Sequence, residues 1–132
     1  MPIILPITLC ACAAAAILNF WLAWRVGQLR GKHKVLHGDD GGGPLTRRMR
    51  AQLNFVENTP FVLLLVAGIE LAGHGSTWLA AVVGAYMLAR IAHGIGMDAD
   101  TPHKARMIGV LVTMLTLIGL AVYAALIAAR IV

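Results

Sequence analysis

The chain has 132 residues, of which 59% are hydrophobic and only 13% are charged. Soluble domains carry charge on about a quarter of their residues. A soluble enzyme or a nucleic-acid-binding domain is therefore excluded in spite of the net charge of +5. A transmembrane helix needs roughly 20 apolar residues, so four such helices account for almost the whole chain. We predict one domain, 1–132, with an all-α fold: an up-down four-helix bundle embedded in a membrane.

Apolar runs predict the four helices. Their expected ranges are about 3–26, 46–73, 77–97 and 104–131. The first run is a retained span rather than a secretory signal, because it has no basic n-region and is too long for an h-region. It ends in Trp21, Trp24 and Arg25, an aromatic and basic belt typical of a membrane interface. Thr46 suits an N-cap for the second helix, and Pro102 suits the start of the fourth.

The distribution of Lys and Arg predicts the orientation. The loop between helices 1 and 2 holds seven of them, and the loop between helices 3 and 4 adds Lys104 and Arg106. The turn between helices 2 and 3 has none. Because positive residues stay on the cytoplasmic side, we expect both polar loops to be cytoplasmic and both termini to lie outside.

Polar side chains interrupt the second apolar run at one depth, near the predicted cytoplasmic boundary. Taking about 100° per residue, five of them share an arc of roughly 100° on helix 2: Arg47, Arg50, Asn54, Glu57 and Asn58. Arg48 falls outside this arc. Such groups are costly in hydrocarbon, so they usually face the protein interior and often mark a functional site.

Two further helices carry polar groups at the same depth. Arg90 and His93 share one face of helix 3 at i and i+3, and Arg106 opens helix 4. Arginines outnumber carboxylates in this set, and Arg forms bidentate pairs with carboxylates. The pattern therefore predicts an anionic guest, and we predict no metal site.

Each of these residues also has a purely structural interpretation. Arg47 and Arg50 could anchor the helix at lipid headgroups, and Glu57 could pair with an arginine of a neighbouring helix. A single histidine such as His93 is more often a satisfied core residue than a catalyst. The functional interpretation depends on these residues meeting in one place.

Residues 50–58, RAQLNFVEN, have the spacing R-A-x-x-N-x-x-E. This run resembles the signature of the membrane-associated proteins in eicosanoid and glutathione metabolism (MAPEG), which include microsomal glutathione transferases and prostaglandin E synthase. Three further matches keep the order of the helices. They are the segment 27–30 (GQLR) at the end of helix 1, the segment 90–93 (RIAH) in helix 3, and Arg106.

The resemblance implies a homotrimer with active sites between neighbouring subunits, near the cytoplasmic side. It also implies glutathione as the anionic guest. Carried over by position, the glutathione-binding residues are Arg30, Arg47, Arg50, Asn54, Glu57, Arg90 and His93. Arg106 takes the catalytic role, because a cation beside the glutathione thiol lowers its pKa and favours the thiolate.

The chain departs from some family members. Met97 replaces a tyrosine after the third-helix histidine, and Met107 replaces a serine after the fourth-helix arginine. Val110 replaces an aromatic residue, and Gln52-Leu53 replaces the His-Arg pair of the prostaglandin branch. Prostaglandin synthesis is therefore not implied, and thiol activation depends on Arg106 alone. Bacterial-type members are most similar, so the expected location is a bacterial inner membrane.

Two functions remain open. The first is a glutathione transferase or peroxidase that acts on hydrophobic electrophiles. The second is a non-catalytic membrane protein that binds lipids or transports small molecules. Small multidrug transporters are four-helix chains that usually carry an essential acidic residue in helix 1; this helix has none, which favours the enzyme. The expected partners are further copies of the chain, membrane lipids and a hydrophobic small-molecule substrate, and no nucleic acid.

Overall fold

A computed structural model describes residues 3–132, and four long helices dominate them. They are α1 (Pro6–His33), α2 (Pro44–Ile69), α3 (Thr77–Gly96) and α4 (Lys104–Ala128), with a π-helical turn, Glu70–His74, continuing α2. All four are long and apolar enough to cross a membrane. No strand occurs in this part of the chain. The predicted fold class, an all-α four-helix membrane bundle, is confirmed.

Contacts between α1 and α2 show that these two helices are antiparallel. Near the end of α1, the backbone carbonyl oxygen of Arg25 accepts a hydrogen bond from Arg48, near the start of α2, at 3.0 Å. Near the start of α1, the backbone amide of Ile7 donates to the Glu70 carboxylate at 3.0 Å. We call the end of the bundle with loops 34–43 and 97–103 the loop end. The opposite end is the turn end.

The first two helices differ from their predicted bounds at the loop end. α1 extends well beyond residue 26, because its polar segment contains no proline and continues the helix. It ends where Lys34 adopts a left-handed conformation (φ 54°). α2 begins at Pro44, and Gly43, not Thr46, is its N-cap. Thr46 lies inside the first turn.

The carboxylate of Asp40 takes over the capping function at the start of α2. It accepts hydrogen bonds from the backbone amides of Leu45 (2.8 Å) and Thr46 (2.9 Å), and from the Thr46 hydroxyl (2.7 Å). Desolvation alone would raise the pKa of Asp40. The bonds from Thr46 and Leu45 outweigh it and lower the pKa to about 2. An acidic loop residue thus satisfies amides that have no partner within the helix.

An apolar seam between the four helices forms the core. It is built from buried side chains of every helix, including Leu18, Leu22, Phe55, Val62, Val66, Leu79, Val83 and Leu120. The outward faces are apolar as well; α4 exposes Leu111, Leu115 and Ile118. Such faces suit contact with lipid rather than water.

Two glycines let α3 and α4 approach closely at the loop end. A Cβ atom on Gly109 would overlap the side chain of His93 and lie 2.8 Å from the carbonyl oxygen of Ala89. A Cβ atom on Gly96 would lie 3.0 Å from the Cα atom of Arg106. The close packing brings His93 and Arg106 to the same place.

Candidate functional site

A polar cavity of about 260 Å³ opens between α2, α3 and α4 at the loop end. Its lining is Arg50, Leu53, Asn54, Glu57, His93, Met97, Arg106 and Val110. Five of the eight predicted site residues therefore meet here, from three helices. We call this space the polar cavity.

Arg90 lies behind the polar cavity and is only 1% exposed. Its Nη2 donates to Oδ1 of Asn54 at 2.8 Å, and its Nη1 donates to the hydroxyl of Thr113 at 3.0 Å. Its Nε is buried without a partner. No carboxylate among residues 3–132 forms a salt bridge with it. A buried cation without a counter-ion is costly, so this region of the bundle favours a negative charge nearby.

His93 is buried between the helices and lines the polar cavity. A satisfied core histidine would have a partner for each ring nitrogen, but Nδ1 of His93 has none in the described residues. Arg50, Glu57 and Arg106, by contrast, are exposed on the single chain. Arg50 and Arg106 line the polar cavity with one carboxylate, that of Glu57, and buried Arg90 lies behind them. The polar cavity is therefore electropositive.

The remaining two predicted residues lie elsewhere. Arg30 lines a second cavity, of about 570 Å³, between α1 and α2, where its guanidinium contacts the sulfur of Met49 at 3.4 Å. Arg50 and Leu53 line this cavity as well as the polar cavity. We call it the α1–α2 cavity. Arg47 lines neither and forms a salt bridge with Asp100 in the α3–α4 loop.

The family comparison covers all of these residues. The model of the MAPEG family matches residues 8–126, from the first turn of α1 almost to the end of α4. The chain belongs to the MAPEG family. No curated protein matches it significantly.

This MAPEG chain also holds an ion-pair cluster that sequence reasoning missed. Arg25, expected in the interfacial belt, is instead buried: it donates to the carbonyl oxygen of Gly94 at 2.9 Å and pairs with Asp98. Its guanidinium stacks over the ring of Trp21, 4.6 Å from the centroid. Arg48 reaches the same carboxylate at 3.1 Å. The available signal was Asp98, an acid that follows helix 3 and lies at the same end of the bundle as several basic residues.

An apolar groove of about 520 Å³ lies on the other side of Arg106 in this MAPEG chain. It is lined by Pro102, His103, Arg106, Met107, Val110, Leu111 and Met114. Arg106 and Val110 line both this groove and the polar cavity. Arg106 thus lies between the charged polar cavity and an apolar surface that is exposed on the single chain.

Proposed function

We propose that this MAPEG protein is a membrane glutathione transferase or peroxidase that acts on hydrophobic electrophiles. The observation that carries the proposal is the polar cavity, where two arginines with buried Arg90 behind them face a single carboxylate. Glutathione has two carboxylates, one amine and one thiol. MAPEG members generally use it, and its charges complement this set of side chains.

Each cavity residue receives a role from its chemistry. Arg50 and Asn54 bind a glutathione carboxylate, and Glu57 accepts hydrogen bonds from the glutathione amine. His93 contributes an unsatisfied ring nitrogen. Arg106 stabilises the thiolate, because it is the cavity cation that also borders the apolar groove. Arg47 is assigned to holding the α3–α4 loop through Asp100 instead.

The hydrophobic substrate is proposed to bind in the apolar groove on α4. Met107, Leu111 and Met114 offer flexible and branched apolar surface there. A molecule dissolved in the bilayer would reach this groove without crossing water. The glutathione thiolate held by Arg106 would then be adjacent to the hydrophobic substrate.

The site is proposed to be completed by a neighbouring subunit of a homotrimer in which α2 lines the central contacts. Arg50, Glu57 and Arg106 are exposed on one chain, and bare charges facing lipid are costly. The polar cavity, at about 260 Å³, is also smaller than the roughly 300–1,000 Å³ of ordinary ligand pockets. The neighbour's α1–α2 cavity would supply the missing wall and bring its Arg30 to the glutathione.

Glutathione binding to the purified, detergent-solubilised protein tests this function. Titration calorimetry should show binding to the wild type, and Arg50→Ala should weaken it at least thirtyfold, from an expected loss of about 2–5 kcal/mol for a desolvated charged contact. Arg130→Ala serves as the control, because Arg130 lies beyond α4 at the turn end. An Arg130→Ala effect as large as that of Arg50→Ala would count against a specific site.

Thiolate absorbance of bound glutathione as a function of pH tests the catalytic role of Arg106. Arg106→Ala should raise the pKa of the bound thiol while weakening binding less than Arg50→Ala does. The same thiol pKa in both proteins would remove Arg106 from catalysis. No binding to the wild type would remove the enzyme and leave lipid binding or transport as the better hypothesis.

A further inference from the structure

We propose that Thr113 on α4 is a positioning residue for the glutathione site: its hydroxyl fixes the guanidinium of Arg90, which in turn orients the amide of Asn54 toward the polar cavity. The inference rests on the proposed function. Thr113 is 1% exposed and lies outside the polar cavity, so it would not itself touch glutathione.

Two hydrogen bonds hold the hydroxyl of Thr113 in one orientation. It donates to the backbone carbonyl oxygen of Gly109, one turn earlier in α4, at 2.8 Å. This bond sets the direction of the hydroxyl hydrogen and leaves the oxygen lone pairs for Arg90, whose Nη1 donates at 3.0 Å. Hydrogen bonds in such a chain polarise and strengthen one another in a medium of low dielectric constant.

Arg90 needs such an anchor because it has no carboxylate partner in the described chain. The acceptors available to its terminal nitrogens are neutral oxygens, that of Thr113 on one side and that of Asn54 on the other. Without the Thr113 hydroxyl, one Nη group would be buried with no acceptor. The guanidinium would then turn to regain a partner, and the geometry at Asn54 would change.

The bond to Arg90 decides which way the Asn54 amide points. A guanidinium only donates, so the oxygen of Asn54 must face Arg90 and its NH₂ group must point elsewhere. Asn54 also lines the polar cavity. The NH₂ group is then free to donate to an anionic guest, and a flipped amide would present an oxygen to that anion instead.

α4 offers a matched control for Thr113. Thr116 is a second buried threonine on the same helix, at 8% exposure. The hydrogen bonds of the Arg90 terminal nitrogens go to Thr113 and Asn54, not to Thr116. Replacing the Thr116 hydroxyl therefore tests for general damage to α4 while leaving the Arg90 contacts intact.

The experiment compares Thr113→Val, Thr113→Ser and Thr116→Val in the full-length protein in detergent. Thr113→Val keeps the shape and removes the hydroxyl, so it should weaken glutathione binding about tenfold, as expected for a hydrogen bond to a charged group. Thr113→Ser restores the hydroxyl and should bind within about twofold of wild type, as should Thr116→Val. The thiol pKa of bound glutathione should not change in Thr113→Val, because Arg106 sets it.

Nuclear magnetic resonance of ¹⁵N-arginine provides a measurement that needs neither glutathione nor a Thr113 variant. In the wild type, the Arg90 guanidinium, assigned through Arg90→Lys, should rotate slowly and give separate Nη signals. A single averaged signal would overturn the proposal.

Two results of the binding experiment would also overturn it: wild-type glutathione affinity in Thr113→Val, or equal losses of affinity in Thr113→Val and Thr116→Val. If the wild type does not bind glutathione, the proposed function is contradicted. The role of Thr113 at the glutathione site is then contradicted as well. If Thr113→Val does not fold, Thr113→Ala replaces it.

Discussion

Arg25 on α1 donates a hydrogen bond to the backbone carbonyl oxygen of Gly94 on α3 at 2.9 Å and pairs with Asp98, which lies in the α3–α4 loop. One buried side chain thus ties the first helix to the segment that leads into Arg106. Arg48 on α2 contacts the same carboxylate. Three helices are held together at the loop end by a single acid.

Asp98→Asn should lower the free energy of unfolding by about 1–2 kcal/mol. Removing one partner from a buried ion pair costs more, but the side chain of Asp98 is 41% exposed, so water screens part of the effect. Denaturation in detergent micelles measures the change. Asp100→Asn is the matched control: its carboxylate pairs with Arg47 but is 81% exposed, so we expect a loss of about 0–0.5 kcal/mol. Equal losses would contradict a special role for Asp98.

Gly109→Ala should separate α3 from α4. The new methyl group would overlap the side chain of His93, and overpacking of this kind costs about 1–3 kcal/mol. Gly119→Ala on the same helix has open space around its new methyl group, so it should be neutral or slightly stabilising. Thermal unfolding of the two variants compares them directly. A Gly109→Ala protein as stable as Gly119→Ala would show that the helices are not in tight contact there.

The start of α2 should lose protection at low pH. The pKa of Asp40 in the fold is about 2, below its usual value of 3.8. The stability that its hydrogen bonds contribute is therefore fully present above pH 3.8 and is lost as the pH falls through about 2. Hydrogen exchange of the Leu45 and Thr46 amides, corrected for the intrinsic rate, measures this. Asp40→Asn should remove the pH dependence, whereas Asp39→Asn should retain it. Identical profiles for the wild type and Asp40→Asn would rule out the Asp40 cap.

Subunit complementation tests whether the proposed glutathione site lies between chains. Arg30→Ala and Arg106→Ala proteins should each bind or activate glutathione poorly. Co-expressed in one membrane, they should regain activity, because a mixed trimer contains interfaces at which both arginines are intact. A site contained within one chain would show no recovery. A mass measurement in mild detergent that finds only monomer would also contradict the trimer.

Reporter fusions test the orientation predicted from Lys and Arg. A fusion at Asp40 should report the cytoplasm, and one at Gly75 should report the opposite side. With four spans, a fusion after Val132 should agree with the one at Gly75. Reporters at Asp40 and Gly75 on the same side would refute the four spans or their direction.

The sequence alone determined the four spans and most of the polar cavity. Apolar runs of bilayer length leave the chain few alternatives to membrane helices, because hydrocarbon requires every backbone group to be satisfied internally. The helical period also places Arg50, Asn54 and Glu57 on one face without reference to any other helix. The spacing of Arg90 and His93 does the same for α3.

Only the tertiary structure decided the partners of the arginines. In the sequence, Arg25 has the position of a residue of the membrane-interface belt. Its pairing with Asp98, 73 positions away, is visible only in the fold. Arg30 and Arg50 have the same chemistry, and both line the α1–α2 cavity, yet of the two only Arg50 also lines the polar cavity. The roles of Thr113 and Gly109 are equally invisible in a periodic pattern, because a threonine or glycine in an apolar helix acquires a partner only when another helix packs against it. Periodicity reports the face that a residue occupies, whereas charge pairing and close packing depend on what lies opposite.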